Sequence, residues 1–399
     1  MIWILNYPWK QKAVQKLTIK SQKGRFKWFS IATSFCLRTF SFGILSFYVW
    51  SLYEFGQLLI SATLYKKFEL SWNTSWILLD IAFIILIESR FRYGQPKSNT
   101  YLPIASQEII NDLMEELEDE RSVGCMIDYM EKWFFDHPIE DLKRGDIIEW
   151  SACMLFNTTV PEITQEQLEV IESMITRLEK NVNLKLAETS SRQAKKMLLT
   201  VDPVEIFHRP LIFYASIKTV TFFTGCALWK AGFEQTNDKG IITYIKRGTS
   251  NEPPIVFFHG IGIGLSPYLR FIYSIMERFP DRTIILFEKG AISMQLASHY
   301  LLPEQYAKKV HEKIRAEGID QIVVVGHSLG TMVICWLDYF YPDLIQSRLF
   351  LDPVCFALWT SDIARNFMYR SPDNMKHYVL KYVASMEPGI SLYLRRYFV

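Results

Sequence analysis

Glycine is scarce in this sequence, 18 in 399 residues, so two glycines bracketing one serine carry more weight than they would in a loop-rich chain. The six cysteines (Cys36, Cys125, Cys153, Cys226, Cys335 and Cys355) are scattered and form no CxxC. That excludes a disulfide framework and a structural metal site, and places the core in a reducing compartment. No GK[ST] and no GxGxxG follows a strand, so neither phosphate-cradling loop is present and no organic cofactor is expected. A net charge of only +2 gives no global attraction for nucleic acid. Internal repeats and low-complexity tracts are also missing. What is plentiful is apolar surface: 49% of residues are hydrophobic and 15% aromatic, and the mean hydropathy is positive, as expected where part of a chain meets lipid.

Acidic residues are absent from positions 1 to 38, which carry eight Lys or Arg. Thr39 to Tyr65 follows with Glu54 as its one charge, long enough to cross about 30 Å of hydrocarbon. Leu70 to Ile87 is a second apolar run, interrupted by Asp80, which would cost about 2.5–3.5 kcal/mol unpaired at a bilayer centre. The expectation is a basic segment (1–38), then one or two membrane helices (39–92), with the rest of the chain on the cytosolic side because Lys10 to Lys27 and Arg90 and Arg92 flank the pair. A pair of buried core helices is the competing reading. On the cytosolic side the sequons Asn73-Thr74-Ser75 and Asn157-Thr158-Thr159 would carry no sugar.

After a polar linker from Tyr93 to Pro103 the pattern becomes helical through residue 235. Ile109, Leu113 and Leu117 share one face, with the acidic run MEELEDE as its solvated side. Thr164 and Gln167 have the spacing of a capping box ahead of Leu168, Ile171, Ile175 and Leu178. Leu211 to Phe233 is apolar and aromatic. With Lys218 in mid-run it reads as a helix packed on the core, the alternative being a helix resting on a membrane surface.

From residue 236 strands and helices alternate. Ile241–Lys246, Ile255–Phe258, Thr283–Phe287, Ile322–Val325 and Arg348–Leu351 read as strands, with helices opening at Ser266-Pro267 and at Pro303. Such alternation predicts an α/β domain with a mainly parallel sheet and a site at the strands' carboxyl ends. Two loops leave those ends with distinctive chemistry. Gly326-His327-Ser328-Leu329-Gly330 joins a buried strand to a helix that stops at Pro342, the context in which a tight turn thrusts a serine hydroxyl out of the backbone as a nucleophile. His259-Gly260-Ile261-Gly262-Ile263-Gly264 follows the second strand. Acyl transfer needs two preorganised N–H donors for its oxyanion. Leu329 can supply one, and Ile261 or Gly262 the other. His259 and His327 read as loop-shaping rather than as bases.

On these motifs the chain resembles the α/β-hydrolases. More narrowly it resembles fungal membrane-anchored proteins with that domain, through the basic and apolar leader, the helical middle and His208-Arg209-Pro210-Leu211, which Leu199-Thr200-Val201-Asp202-Pro203 precedes. The resemblance implies the α/β-hydrolase fold, with Ser328 as nucleophile and Ile261 and Leu329 as oxyanion donors.

The family's order is serine, then acid, then histidine. Here Asp352, at the end of the last strand, is a possible acid, and His377 is the one histidine after Ser328. The stretch from Cys355 onward reads as lid-like helices, anchored by residues such as Phe356, Trp359, Phe367, Tyr378, Tyr382 and Tyr393, and the final LYLRRYFV as an end without a closing element. The expectation is therefore a hydrolase core over 236–399 that is incomplete at its C-terminus. Its late strands and catalytic histidine would be missing through truncation, loss of activity or recruitment of another histidine. The function expected is a membrane-anchored serine hydrolase acting on an ester, with lipid esters among the candidates, without metal or cofactor. The rivals are a non-catalytic membrane scaffold that keeps the fold for binding, and an acyltransferase.

Overall fold

The computed structural model describes residues 72–93, 105–188, 194–238, 241–296, 299–358 and 360–398. The basic segment, the first apolar run and Trp359 lie outside the described residues, as does nearly all of the linker. The chain divides into two compact units, residues 7–90 and residues 91–399 together with 1–6. In the first, the described part is helix α1 (Trp72–Tyr93), which exposes Leu78, Leu79, Ile85 and Leu86. Its apolar stretch, Leu78–Ile87, interrupted by Asp80, is shorter than a bilayer span.

The second unit begins with helices α2 (Gln107–Glu116), α3 (Glu120–Trp133), α4 (Arg144–Phe156) and α5 (Gln165–Val182) around a core of their own. Ile109 and Leu117 face that core, as do Ile171, Ile175 and Leu178. Thr164 and Gln167 form the reciprocal cap at the start of α5. Helix α6 (Leu211–Lys230) follows. It is the one described helix long and apolar enough to cross a membrane by length and composition. Yet Phe213, Tyr214, Ile217, Thr224 and Leu228 are buried, and Leu228 belongs to the core beneath the sheet. The opposite side of α6 shows Phe222, Phe223 and Trp229 to solvent.

The sheet has six strands: β1 (Glu234–Asp238), β2 (Ile241–Lys246), β3 (Ile255–Phe258), β4 (Ile284–Lys289), β5 (Ile322–His327) and β6 (Ile345–Leu351). Their spatial order is β1-β2-β4-β3-β5-β6, with β1 and β2 antiparallel to their neighbours and the rest parallel. Strand β1 escapes the sequence reading because EQTND is exposed at every position and has no apolar alternation to betray it. It forms as an edge by hairpin pairing with β2. Helices α7 (Leu269–Arg278), α8 (Pro303–Ala316) and α9 (Gly330–Phe340) make the crossovers. The polypeptide leaves β3 toward β4 on one side and leaves β5 toward β6 on the other. The loops after these adjacent strands therefore diverge and open a crevice at their carboxyl ends.

After β6 the described residues contain helices and no further strand. Helix α10 (Ser361–Ala364) runs into a wide turn over Arg365–Tyr369, and α11 (Met375–Val379) into another over Leu380–Ser385. Helix α12 (Pro388–Arg396) is buried along its whole length, with Leu392 and Tyr393 fully enclosed. Its two arginines look like surface charge in the sequence. Instead Arg396 donates to Thr200 O (2.7 Å) and Asp202 O (2.6 Å), while Arg395 lies beside Tyr369 and Asp202. A guanidinium that finds backbone carbonyls can be buried where an unpaired one could not.

Backbone meets backbone closely where α9 starts. A Cβ on Gly330 would lie 2.3 Å from the carbonyl oxygen of Phe258 at the end of β3, and one on Gly326 would lie 2.6 Å from Gly330 O. Both obstacles are backbone and cannot swing aside. Gly330→Ala is therefore expected to push α9 off β3 at a cost at or above the ~1–3 kcal/mol typical of overpacking. A drop of several degrees or more in the thermal midpoint, set beside Gly318→Ala, whose site is open but left-handed, would measure it.

Candidate active site

Ser328 occupies the turn between β5 and α9 with φ of +52°, a left-handed backbone that a non-glycine residue adopts at a cost of about 1–3 kcal/mol. Three hydrogen bonds hold it there. Ser328 N–H donates to Leu351 O of β6 (2.9 Å), while Ser328 O accepts from Thr331 N–H (3.0 Å) and from the Thr331 hydroxyl (2.6 Å). The serine hydroxyl is left free to face a cavity of about 380 Å³, within the range of small-molecule pockets.

Ile261 and Leu329 line the same cavity. Neither backbone N–H is bonded to another described residue, and Leu329 caps the N-terminus of α9, where the helix dipole favours negative charge. Gly262 is corrected as a donor, since its N–H already donates to Ile292 O (3.0 Å). The geometry thus brings together Ser328, Ile261 and Leu329 and sets Gly262 apart.

The two histidines of the motifs are structural. His259 is fully buried: Nε2 accepts from Lys289 N–H (3.0 Å), so Nδ1 carries the proton and donates to Gly260 O (2.6 Å). Burial lowers its pKa to about 4, so it stays neutral. His327 Nδ1 meets the Tyr268 hydroxyl at 2.8 Å, and that hydroxyl accepts from Gly260 N–H at 3.1 Å. The chain His327–Tyr268–Gly260 ties the oxyanion loop to the elbow. Burial pulls the His327 pKa down, partly offset by the Asp352 charge. Asp352 stands exposed at the end of β6 with φ of +46°, outside the cavity lining. His377 also lies away from the cavity, on α11, where Asp373, Asn374 and Arg370 hold its ring. Among the described residues no imidazole or carboxylate hydrogen-bonds the Ser328 hydroxyl.

The rest of the cavity comes from segments remote in sequence. Trp133 and Met154 of the helical middle face Phe367, Leu380, Ala384 and Leu394 of the C-terminal helices. Cys153, Asn157 and Thr200 are its polar residues besides Ser328. The Cys153 thiol is pushed up to about 11 by burial and lies 3.6 Å from the Thr200 hydroxyl, so it is an inert wall.

Glu288, missed in the sequence reading, supports the oxyanion loop from below. Its carboxylate accepts from Gln295 Nε2 (3.0 Å) and sits 2.5 Å from where a Cβ on Gly264 would be. Two charged residues, Glu288 and Lys289, closing an otherwise buried apolar strand were the available signal.

Likenesses to known proteins are confined to solved structures and are distant. No family model matches the chain, and no curated protein matches it. Solved structures that resemble it include a serine hydrolase from the bacterium Cycloclasticus zankles, 17% identical over 31% of this chain and 45% of its own length, with a TM-score of 0.27. A probable hydrolytic enzyme from Pseudomonas aeruginosa is 14% identical over 41% of this chain and 64% of its own, with a TM-score of 0.28. A bacterial membrane phospholipase A is 13% identical over 47% and 71%, with a TM-score of 0.31. The chain spans about half the length of the first of these. The domain has the α/β-hydrolase fold: its own strand order and nucleophile turn carry that assignment.

The pKa of Glu288 is raised by burial to about 7. The folded state therefore keeps this proton up to about pH 7, whereas the unfolded chain releases it near its ordinary value of 4.5. Since the folded state binds more protons in that window, stability is full below it, falls as pH rises through it, and stays reduced above, by at most ~3 kcal/mol. Thermal midpoints measured from pH 4.5 to 8 should show this decline in the wild type and a flatter profile in Glu288→Gln.

Proposed function

We propose that this chain is a membrane-associated serine hydrolase that takes an apolar acyl group in ester linkage. The observation that carries the reading is the strained Ser328 facing an apolar cavity together with two unbonded amides. In this reading the acyl chain lies between the helical middle and the C-terminal helices, with its carbonyl at the elbow. The Ser328 hydroxyl attacks, the carbonyl oxygen becomes an oxyanion held by Ile261 and Leu329 N–H, the alcohol leaves, and water releases the acid. Attack needs an acceptor for the serine proton, which a base reaching Ser328 would supply, with Asp352 at the edge of β6 as its possible acid. The apolar runs before residue 90 would hold the enzyme at a bilayer and bring it to lipid-like esters. The resemblance to fungal membrane-anchored hydrolases agrees with this placement.

A second reading is favoured by one observation: no imidazole lines the cavity among the described residues. The same pocket would then hold an acyl chain without cleaving it. Labelling of the full chain in membranes with a fluorophosphonate separates the two. The hydrolase reading expects Ser328 to be modified and the signal to vanish in Ser328→Ala. A folded chain that stays unlabelled would sink it and leave the binding role.

The walls make a further demand. Ala384 lines the cavity at a small side chain, and Ala384→Trp is expected to shorten the longest p-nitrophenyl ester accepted, lowering kcat/KM for long chains at least tenfold while sparing acetate. Equal losses for short and long esters would place the acyl chain elsewhere.

A further inference from the structure

The helix that follows the nucleophile carries a second reactive group. Cys335, one turn beyond Thr331 on α9, is half-buried, and Cys355, in the turn just after β6, is buried. Although 20 positions apart in sequence, counting from 335 to 355, the two thiols lie near enough to shift each other's ionisation, on α9 and on the turn that packs against it. The Thr331 hydroxyl donates to Ser328 O (2.6 Å) and accepts from Val354 N–H (3.3 Å). One small cluster therefore joins the nucleophile turn, α9 and the loop whose Val354 lines the cavity.

We propose that Cys335 and Cys355 form a reversible disulfide, a redox modification site that clamps α9 to the loop after β6 and stiffens the nucleophile turn. Cys335 lies one turn beyond Thr331, whose hydroxyl meets Val354 N–H next to Cys355, so the two cysteines sit on facing segments that already pack together. The interaction between the two thiols pulls the Cys355 thiol down and pushes Cys335 up, so Cys355 is the first nucleophile. With hydrogen peroxide as oxidant, the Cys355 thiolate attacks one peroxide oxygen. An S–O bond forms, the O–O bond breaks, and one water leaves after protonation. The Cys335 sulfur then attacks the sulfenic sulfur, the S–S bond forms and a second water departs. Two thiols are oxidised by two electrons and one peroxide is reduced to two waters. In a reducing compartment such a pair is a switch rather than a staple. This inference stands on the placement of the thiols and does not depend on the hydrolase reading.

The test uses the full-length chain in membranes, treated with hydrogen peroxide, alkylated and mapped by mass spectrometry, with hydrogen exchange followed over Gly326–Ile334. Expected are a joined Cys335–Cys355 peptide pair two hydrogens lighter than its reduced sum, its reversal by dithiothreitol, and several-fold slower exchange at the nucleophile turn. Both changes should be lost in Cys335→Ser and Cys335→Ala, two small substitutions at the more exposed position. Recovery of both cysteines as alkylated thiols after oxidation, pairing with Cys153 or Cys226 instead, or unchanged exchange in the cross-linked chain would each overturn it.

Discussion

The backbone of α9 rests directly on the backbone of β3, and the arrangement of the site depends on that contact. Gly330 can approach the Phe258 carbonyl only because it has no side chain, and Gly326 closes on Gly330 for the same reason. With both ends of the turn fixed, the intervening chain has too little length for ordinary dihedrals. Ser328 takes up the difference in a left-handed conformation, secured by β6 through Leu351 O and by Thr331 from within the helix. The hydroxyl is thus aimed by main-chain geometry rather than by its own rotamer preference. The cost is met by the packing of three parallel strands buried on both faces.

Beneath the oxyanion loop lies a buried polar layer that couples the end of the chain to the site. Lys289 is fully enclosed, and its ammonium group faces the rings of Tyr306 (4.2 Å), Tyr393 (4.2 Å) and Trp336 (5.0 Å) while donating to the Tyr393 hydroxyl. Burial pulls its pKa well down, and the three rings oppose that pull by attracting the cation. Its own amide fixes His259, and His259 fixes Gly260. Tyr393 belongs to α12, so that helix and the loop that would bind an oxyanion share one buried lysine. Arg396 adds a second tie, from α12 to Thr200 O and Asp202 O, beside the cavity wall at Leu199 and Thr200.

The parts legible in the sequence are those governed by local rules. The five apolar strands, the elbow, the helix starts at Pro303 and Thr164 and the structural role of His259 follow from periodicity, glycine spacing and capping chemistry. Strand ends shifted by up to three residues, as with β6 beginning at Ile345 rather than Arg348, because polar residues at a sheet edge carry no apolar signal. What stayed hidden needed tertiary partners. Strand β1 has no pattern of its own. Gly262 looked equivalent to Ile261 until Ile292 O was found to occupy its amide. The burial of Arg396 depends on carbonyls almost 200 positions away in the chain, and that of Arg395 on Tyr369 and Asp202, and no local window contains them.

The balance between catalysis and simple binding can be weighed on what each would require of this site. An apolar chain is held by area removed from water, and Trp133, Met154, Phe367 and Leu394 supply that without any contribution from the elbow. Binding alone gives no reason for a serine strained by about 1–3 kcal/mol, nor for two amides left without partners at the inner end of an apolar cavity, where unsatisfied donors cost about as much again. An incoming carbonyl oxygen repays that second cost, and repays it most when it carries negative charge. The piece missing among the described residues is the proton acceptor. A serine with its oxyanion donors in place but without a base attacks an ester slowly. It still reacts with an acyl donor whose leaving group departs without help. Under the proposed hydrolase reading, acyl transfer to Ser328 is the chemistry that accounts for both costs, with the supply of a base setting the rate at which it would turn over.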